Sequence, residues 1–274
     1  MASCGGGFAT DRFERSFVIE IAVDGLDVQV WSSPSTTMPA DLQASLRRDL
    51  SDLGRDGFAA FASVANDDDV AAHYLETSVA AYLFDGGRCR AVFTADPIVL
   101  PTARALYLSG ATVHSELRGR GLYQPMILLR LALGQRWSCQ WWVARTQNPL
   151  VAQLSRRFSP YPWHVDGEGA RRVAADAARA LFSRFGFGRA QPGQTFDVAT
   201  GVLGRAYPMS PYDELPRGAA PVVSTYFAEH VDHDRGDALL LMGGLDDAID
   251  RLAPRCDEFF GVSFEHLAGR LGRL

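Results

Sequence analysis

Residues 105–137 place a strand, a glycine turn and a helix end to end with no spacer. ALYLSGATV at 105–113 alternates with the period-two pattern of a strand, HSELRGRG at 114–121 is turn-like, and LYQPMILLRLALGQRW at 122–137 is strongly helical. The first backbone N–H groups of a helix have no intrahelical acceptor, and glycines before them let an anion approach. Arg118 and Arg120 add charge and forked donors beside Gly119 and Gly121, so the segment suits a pyrophosphate. A dinucleotide fingerprint needs GxGxxG after a parallel strand and an acid on the next one. Here the turn follows an antiparallel meander, which argues against a Rossmann unit.

That meander is SVAAYLFD, Gly86-Gly87, RCRAVFTADPIVL, a turn at Pro101, then the 105–113 strand. Before it, FVIEIAVDGLDVQVW at 17–31 predicts two strands about Asp24-Gly25, and 38–53 predicts a helix behind Thr36 and Thr37. A short helix is expected over 67–77. After the glycine turn, 139–145 predicts a strand, and Asn148-Pro149 opens a helix over 150–157. Residues 159–193 read as an insertion carrying a helix near 169–185. Strands are expected at 196–206, 222–229 and 238–243, and helical material from 245 is broken by Pro254. The implied organisation is a tail at 1–16, one domain over 17–245 and a C-terminal helical extension over 246–274.

Composition removes several function classes. All 27 basic residues are arginine, so Schiff-base, pyridoxal-phosphate and P-loop lysine chemistry is excluded. A net charge of -5 with no clustered cations argues against a nucleic-acid partner. Cys4, Cys89, Cys139 and Cys256 form no CxxC pair and read as free thiols in a reducing cytosol. The first residues show no basic stretch followed by an apolar one, and no apolar run nears the roughly 18 residues of a membrane span. The expectation is a cytoplasmic protein with no membrane partner.

With strand, RGRG turn and helix in place, the chain resembles the GNAT superfamily of N-acyltransferases over about 28–158. The resemblance is strongest at 113–123 and 142–158. The family signature is Gln or Arg, two residues, Gly, one residue, Gly or Ala; Arg118 and Gly121 match it, and Tyr123 stands in the small-residue place. The resemblance implies an α/β (α+β) fold, a mixed, twisted, mostly antiparallel sheet flanked by helices and splayed near Val113. It implies acetyl-CoA or another short acyl-CoA as co-substrate, with the pyrophosphate on the amides of Gly119, Arg120, Gly121, Leu122 and Tyr123. The pantetheine arm would pair with backbone near Ala111 and Val113, and Asn148 matches an asparagine that contacts the cofactor.

The family's general base stands four or six residues before the valine that ends the strand, and those places hold Ser109 and Tyr107. Neither is a base near neutrality, so a relay through water is expected, and a pKa near 6.5 traced to His114, His164 or His230 would overturn it. Ser155 replaces the family's acid tyrosine, with Tyr123 and Tyr161 at hand as substitutes.

His230, Asp232, His233 and Asp234 offer ligand types, but their setting predicts a solvated loop and no metal. The expected reaction moves an acetyl or other short acyl group from acyl-CoA to an amine, small-molecule, peptide or protein, by direct attack in a ternary complex. Two rivals stand beside it: an acyl-CoA-binding sensor or scaffold with weak turnover, and an interaction protein in which the glycine turn is incidental and the C-terminal helices form an assembly surface; a homodimer is a separate expectation for the enzyme.

Overall fold

The computed structural model describes residues 25–58, 67–163, 167–184, 193–272 and 274. The elements in chain order are β1 (Asp27–Ser32), α1 (Pro34–Thr37), α2 (Ala40–Gly57), α3 (Asp67–Leu75), β2 (Val79–Asp85), β3 (Arg88–Val99) and β4 (Arg104–Val113). Then come α4 (Tyr123–Arg136), β5 (Trp141–Thr146), α5 (Pro149–Ser155), α6 (Glu168–Arg184), β6 (Thr195–Asp197) and β7 (Val202–Gly204). The chain closes with α7 (Pro221–His230), β8 (Ala238–Gly244), α8 (Leu245–Leu252), α9 (Cys256–Phe260) and α10 (Phe264–Leu271).

One eight-stranded sheet runs β1-β2-β3-β4-β5-β8-β7-β6. Every pairing is antiparallel except β4 with β5. The architecture is therefore the mixed, mostly antiparallel, helix-flanked sheet that the resemblance implies. Alternation along the strands sends Ala81, Phe93, Leu106 and Trp142 to one face, where α4 lies. The other face takes Tyr107, Val143 and Leu240 against α6, and Tyr82 and Val92 against α2 and α3.

Helix α4 buries every residue from Pro125 to Gly134, as a helix apolar all round must. Residues of α8, α9 and α10 join the same core, and Arg136 donates to the Leu271 carbonyl at 2.9 Å. The helices of 246–274 thus cover α4. Among the described residues, no helix is long and apolar enough to cross a membrane.

Two strand expectations are corrected. Residues 222–229 lie in α7: Pro221 opens the helix and Val223 and Phe227, four apart, bury one side of it, so helical packing overrides the β-branched VVST run. Residues 196–206 are the β6–β7 hairpin, because Asp197 accepts from the Ala199 amide and the Thr200 hydroxyl and turns the chain. The tail at 1–16, the strand before Asp24, Cys4 and His164 lie outside the described residues.

Candidate functional site

Strands β4 and β5 pair only at Ala105↔Trp141, Leu106↔Trp142 and Tyr107↔Val143. Beyond that point β4 stays with β3 as far as Val113↔Ala91, while β5 stays with β8 as far as Thr146↔Leu239. The sheet opens as a wedge, and among the described residues β4 from Leu108 onward has no strand partner on its β5 side.

A bulge sits at the apex. Tyr107 pairs with Asp96 and Gly110 with Thr94, so Leu108 and Ser109 together oppose Ala95. The extra residue reverses the alternation of the strand. Gly110 and Thr112 therefore face α2 and α3, where the Thr112 hydroxyl lies 2.6 Å from that of Tyr74. A Cβ on Gly110 would stand 2.8 Å from Thr94 Oγ1, so the approach requires glycine. From α4, the buried Arg130 donates to the carbonyls of Thr94 and Gly110 at 3.4 Å each and lies over the Phe93 ring.

A cavity of about 130 Å³ fills the wedge. Ser109, Gly110 and Ala111 of β4 face Arg145, Thr146 and Gln147 across it. Tyr123 and Arg130 close it from α4, His73 and Tyr74 from α3, and Tyr207 and Tyr212 from the loop before α7. No Asp or Glu is among the described residues of this wall. The carboxylate of Asp96, on the Tyr107 side of the sheet, is held by the amide and hydroxyl of Ser78 at 2.7 and 2.8 Å.

At the wedge mouth, a 3-10 turn at Ser115–Leu117 leads into residues 118–122 and then α4. Gly119 and Gly121 have φ of 83° and 78°, the left-handed region that side chains disfavour, with open space where a Cβ would stand. The first turn of α4 holds no acid and no side-chain cap, so its amides face no competing carboxylate.

The sequence-predicted residues divide. Ser109, Ala111 and Tyr123 line the cavity. Tyr107 is buried behind it, bonded to Arg145, and burial pushes its phenol up to about 12. Ser155 is fully buried, with its hydroxyl 2.9 Å from that of Tyr123. Asn148 caps α5, accepting from the Leu150 amide at 2.9 Å, and its side chain also bonds Tyr212. Arg118 donates from Nε to the Val113 carbonyl at 3.0 Å and from Nη2 to the carbonyl and carboxylate of Asp56, so it braces the turn against α2. His230 ends α7, and no group placed to hold a metal occurs among the described residues.

Sequence reasoning missed His73, Arg130, Arg145, Gln147, Tyr207 and Tyr212. Arg130 carried a signal, a single charge inside the apolar run LLRLAL. His73 is lowered to about 4, chiefly by burial and then by the Arg145 charge, so its imidazole is neutral at pH 7. Tyr123 is raised by burial above its ordinary value, against smaller effects of Ser155 and Arg130, and keeps its proton.

No protein-family model matches the chain, and no curated protein matches it. The solved structures similar to it include GNAT acetyltransferases. A GNAT family acetyltransferase from Brucella melitensis in complex with acetyl-CoA is 14% identical, covering 43% of this chain and 74% of its own at a TM-score of 0.31. An IAA acetyltransferase from Bacillus cereus is 13% identical over 80% of this chain and 99% of its own, TM-score 0.35. Aminoglycoside N-acetyltransferase AAC(6')-Iy in complex with CoA is 12% identical over 48% and 85%, TM-score 0.37. At these values no residue's role passes from them to this chain.

Proposed function

We propose that this chain transfers an acetyl or other short acyl group from acyl-CoA to an amine. The observation that carries the reading is the wedge itself: β4 and β5 part after Tyr107↔Val143, and the left-handed glycines and uncapped α4 N-terminus stand at its mouth. The fit to acyl-CoA is physical. An open turn rich in amides suits a pyrophosphate, and a strand edge without a partner suits the amide-bearing pantetheine arm. Acyl-CoA supplies the activated thioester.

The chain's own groups do the rest. Backbone amides at the 108–110 bulge and the Arg130 guanidinium behind them favour negative charge on the acyl oxygen. The amine nitrogen enters from the α3 side, forms the new C–N bond and loses a proton to the neutral imidazole of His73. Its Nε2 lies 3.5 Å from where a Cβ on Gly110 would be. As the C–S bond breaks, the Tyr123 hydroxyl gives its proton to the departing sulfur and is oriented for this by Ser155. Tyr107, behind the cavity, holds Arg145 in place.

Thermal unfolding with CoA and acetyl-CoA tests the reading, because a ligand bound only to the native state raises the melting temperature as occupancy grows. The shift is expected in the parent protein and absent in Gly121→Asp, which sets a carboxylate against the pyrophosphate. Gly121→Ala controls for the left-handed backbone alone, at a cost of about 1 kcal/mol. A folded parent unmoved by millimolar CoA refutes the assignment. A CoA shift without thiol release from any amine moves the protein to the sensor class.

A further inference from the structure

We infer that the amine acceptor is a small molecule carrying a carboxylate, and that Arg145 binds this group on the α3 face of the wedge. The inference rests on the acyl-transfer reading of the same cleft and adds the acceptor's chemistry to it.

Charge is the first argument. Among the described residues the cavity wall contains arginines and no carboxylate. Arg130 is 2% exposed, and its partners among the described residues are the carbonyls of Met126, Thr94 and Gly110 and the Phe93 ring, with no ion pair among them. Burial alone lowers its pKa to about 10. Between Arg130 and Arg145 an anionic group is drawn in, whereas a polycationic acceptor meets repulsion, with no acid among the described lining residues to offset it.

Preorganisation is the second. Alternation along β5 sends Val143 and Arg145 to the face opposite α4. There the Arg145 guanidinium lies 4.6 Å from the Tyr207 ring centroid, donates to the Ala206 carbonyl at 2.9 Å and bonds the hydroxyls of Tyr107 and Tyr207. A stacked, multiply held guanidinium has little entropy left to lose when it meets a planar carboxylate. The Arg130 side, by contrast, belongs to α4, over whose first turn the acyl-CoA enters.

Size and surface complete the description. A cavity of about 130 Å³ takes in one small group at the acceptor end. Phe58 and Tyr212, 5.7 Å apart, and Tyr74 give it aromatic walls. The fitting acceptor is therefore an amino acid with a flat apolar side chain, its carboxylate on Arg145 and its amine toward the bulge.

The test is thiol release from acetyl-CoA with matched acceptors, phenylalanine against phenethylamine and tyrosine against tyramine, each rate corrected for its free-amine fraction. The carboxylate-bearing member is expected to have a kcat/KM about tenfold to a hundredfold higher, the range a charge-assisted hydrogen bond supplies. Arg145→Gln should bring that ratio near one, and Arg145→Lys should keep part of it. Equal rates within each pair overturn the inference, and they do so on the parent protein even if Arg145→Gln fails to fold. A preference for succinyl-CoA over acetyl-CoA with both members of a pair also overturns it, by assigning the cation to the acyl chain. If CoA neither binds nor turns over, the acyl-transfer reading fails separately. N-acetylphenylalanine and N-acetylphenethylamine then decide the anion site by thermal shift: a larger shift with the carboxylate, lost in Arg145→Gln, supports it, and equal shifts end it.

Discussion

The Tyr123 hydroxyl lies 2.9 Å from the Ser155 hydroxyl, so α4 brings a phenol to the place that α5 fills with a serine. The position where the resembled family carries its acid tyrosine and the position where it carries a small residue are exchanged in chemistry. Removing the phenol should cost more than removing the serine. Tyr123→Phe is expected to lower kcat about a hundredfold to ten-thousandfold, the span of one acid–base contribution, while Ser155→Ala costs less because the phenol remains. An aryl thioester, whose thiol leaves without protonation, should suffer much less from Tyr123→Phe. Equal losses with both thioesters would assign Tyr123 to binding.

The bulge makes its own prediction. Gly110→Ala places a methyl 2.8 Å from Thr94 Oγ1 and 3.3 Å from Tyr74 Cε1, so β3 or α3 must give way. Overpacking of this kind costs roughly 1–3 kcal/mol in denaturant unfolding. Activity should fall further than that loss explains, because the displaced atoms include the bulge amides proposed to face the acyl oxygen. A variant of unchanged stability and rate would show that the wedge tolerates a side chain there.

Much of this was legible in the sequence where one periodicity dominated. The meander from 79 to 113 alternates cleanly, and LYQPMILLRLAL is apolar on every side, which only a buried helix satisfies. The RGRG turn before α4 was legible for the same reason, since glycine and a helix start have local signatures. The bulge has none. ALYLSGATV reads as unbroken alternation, which puts Tyr107 and Ser109 side by side as equals, whereas the register slip leaves Ser109 on the cavity and Tyr107 behind it. Tyr207 and Tyr212 come from a loop with no period, and Arg145 and His73 acquire their setting only when β5, α3 and that loop meet.

His73 links the chemistry to pH. Burial first, and the Arg145 charge second, lower its pKa from 6.5 to about 4, with Asp96 opposing. The unfolded chain therefore takes up a proton near pH 6.5 that the folded chain refuses until about pH 4. Stability is full above the unfolded value and declines as pH falls across that window. Urea unfolding at pH 5 and pH 7 should show a stability gap that narrows in His73→Gln. The same variant should lower kcat about a hundredfold or more without removing any inflection near 6.5, because the parent has none from this group. An inflection near 6.5 that disappears with His114 or His230 would place the proton acceptor outside the wedge.

Asp56 and Arg118 join the end of α2 to the glycine turn, and their pair predicts a coupling that neither residue shows alone. Burial opposes the charge on Asp56, but the hydroxyl and amide of Ser115, at 2.7 and 2.8 Å, together with Arg118, hold its pKa below 3.8. Its stabilising contribution is thus present above the unfolded pKa and lost as pH falls through the lower folded value. Asp56→Asn should cost about 1 kcal/mol at pH 7, since the site is partly open to solvent, and the gap should close as pH falls through the lowered folded pKa. Arg118→Gln should weaken acyl-CoA binding by releasing the turn, even though its guanidinium is already committed to Asp56 and Val113. In the double variant the two losses should be less than additive, because the residues act as one brace. Strict additivity, measured as stability at pH 7 and as the CoA-induced thermal shift, would mean that Arg118 meets the pyrophosphate directly and that Asp56 serves only the fold.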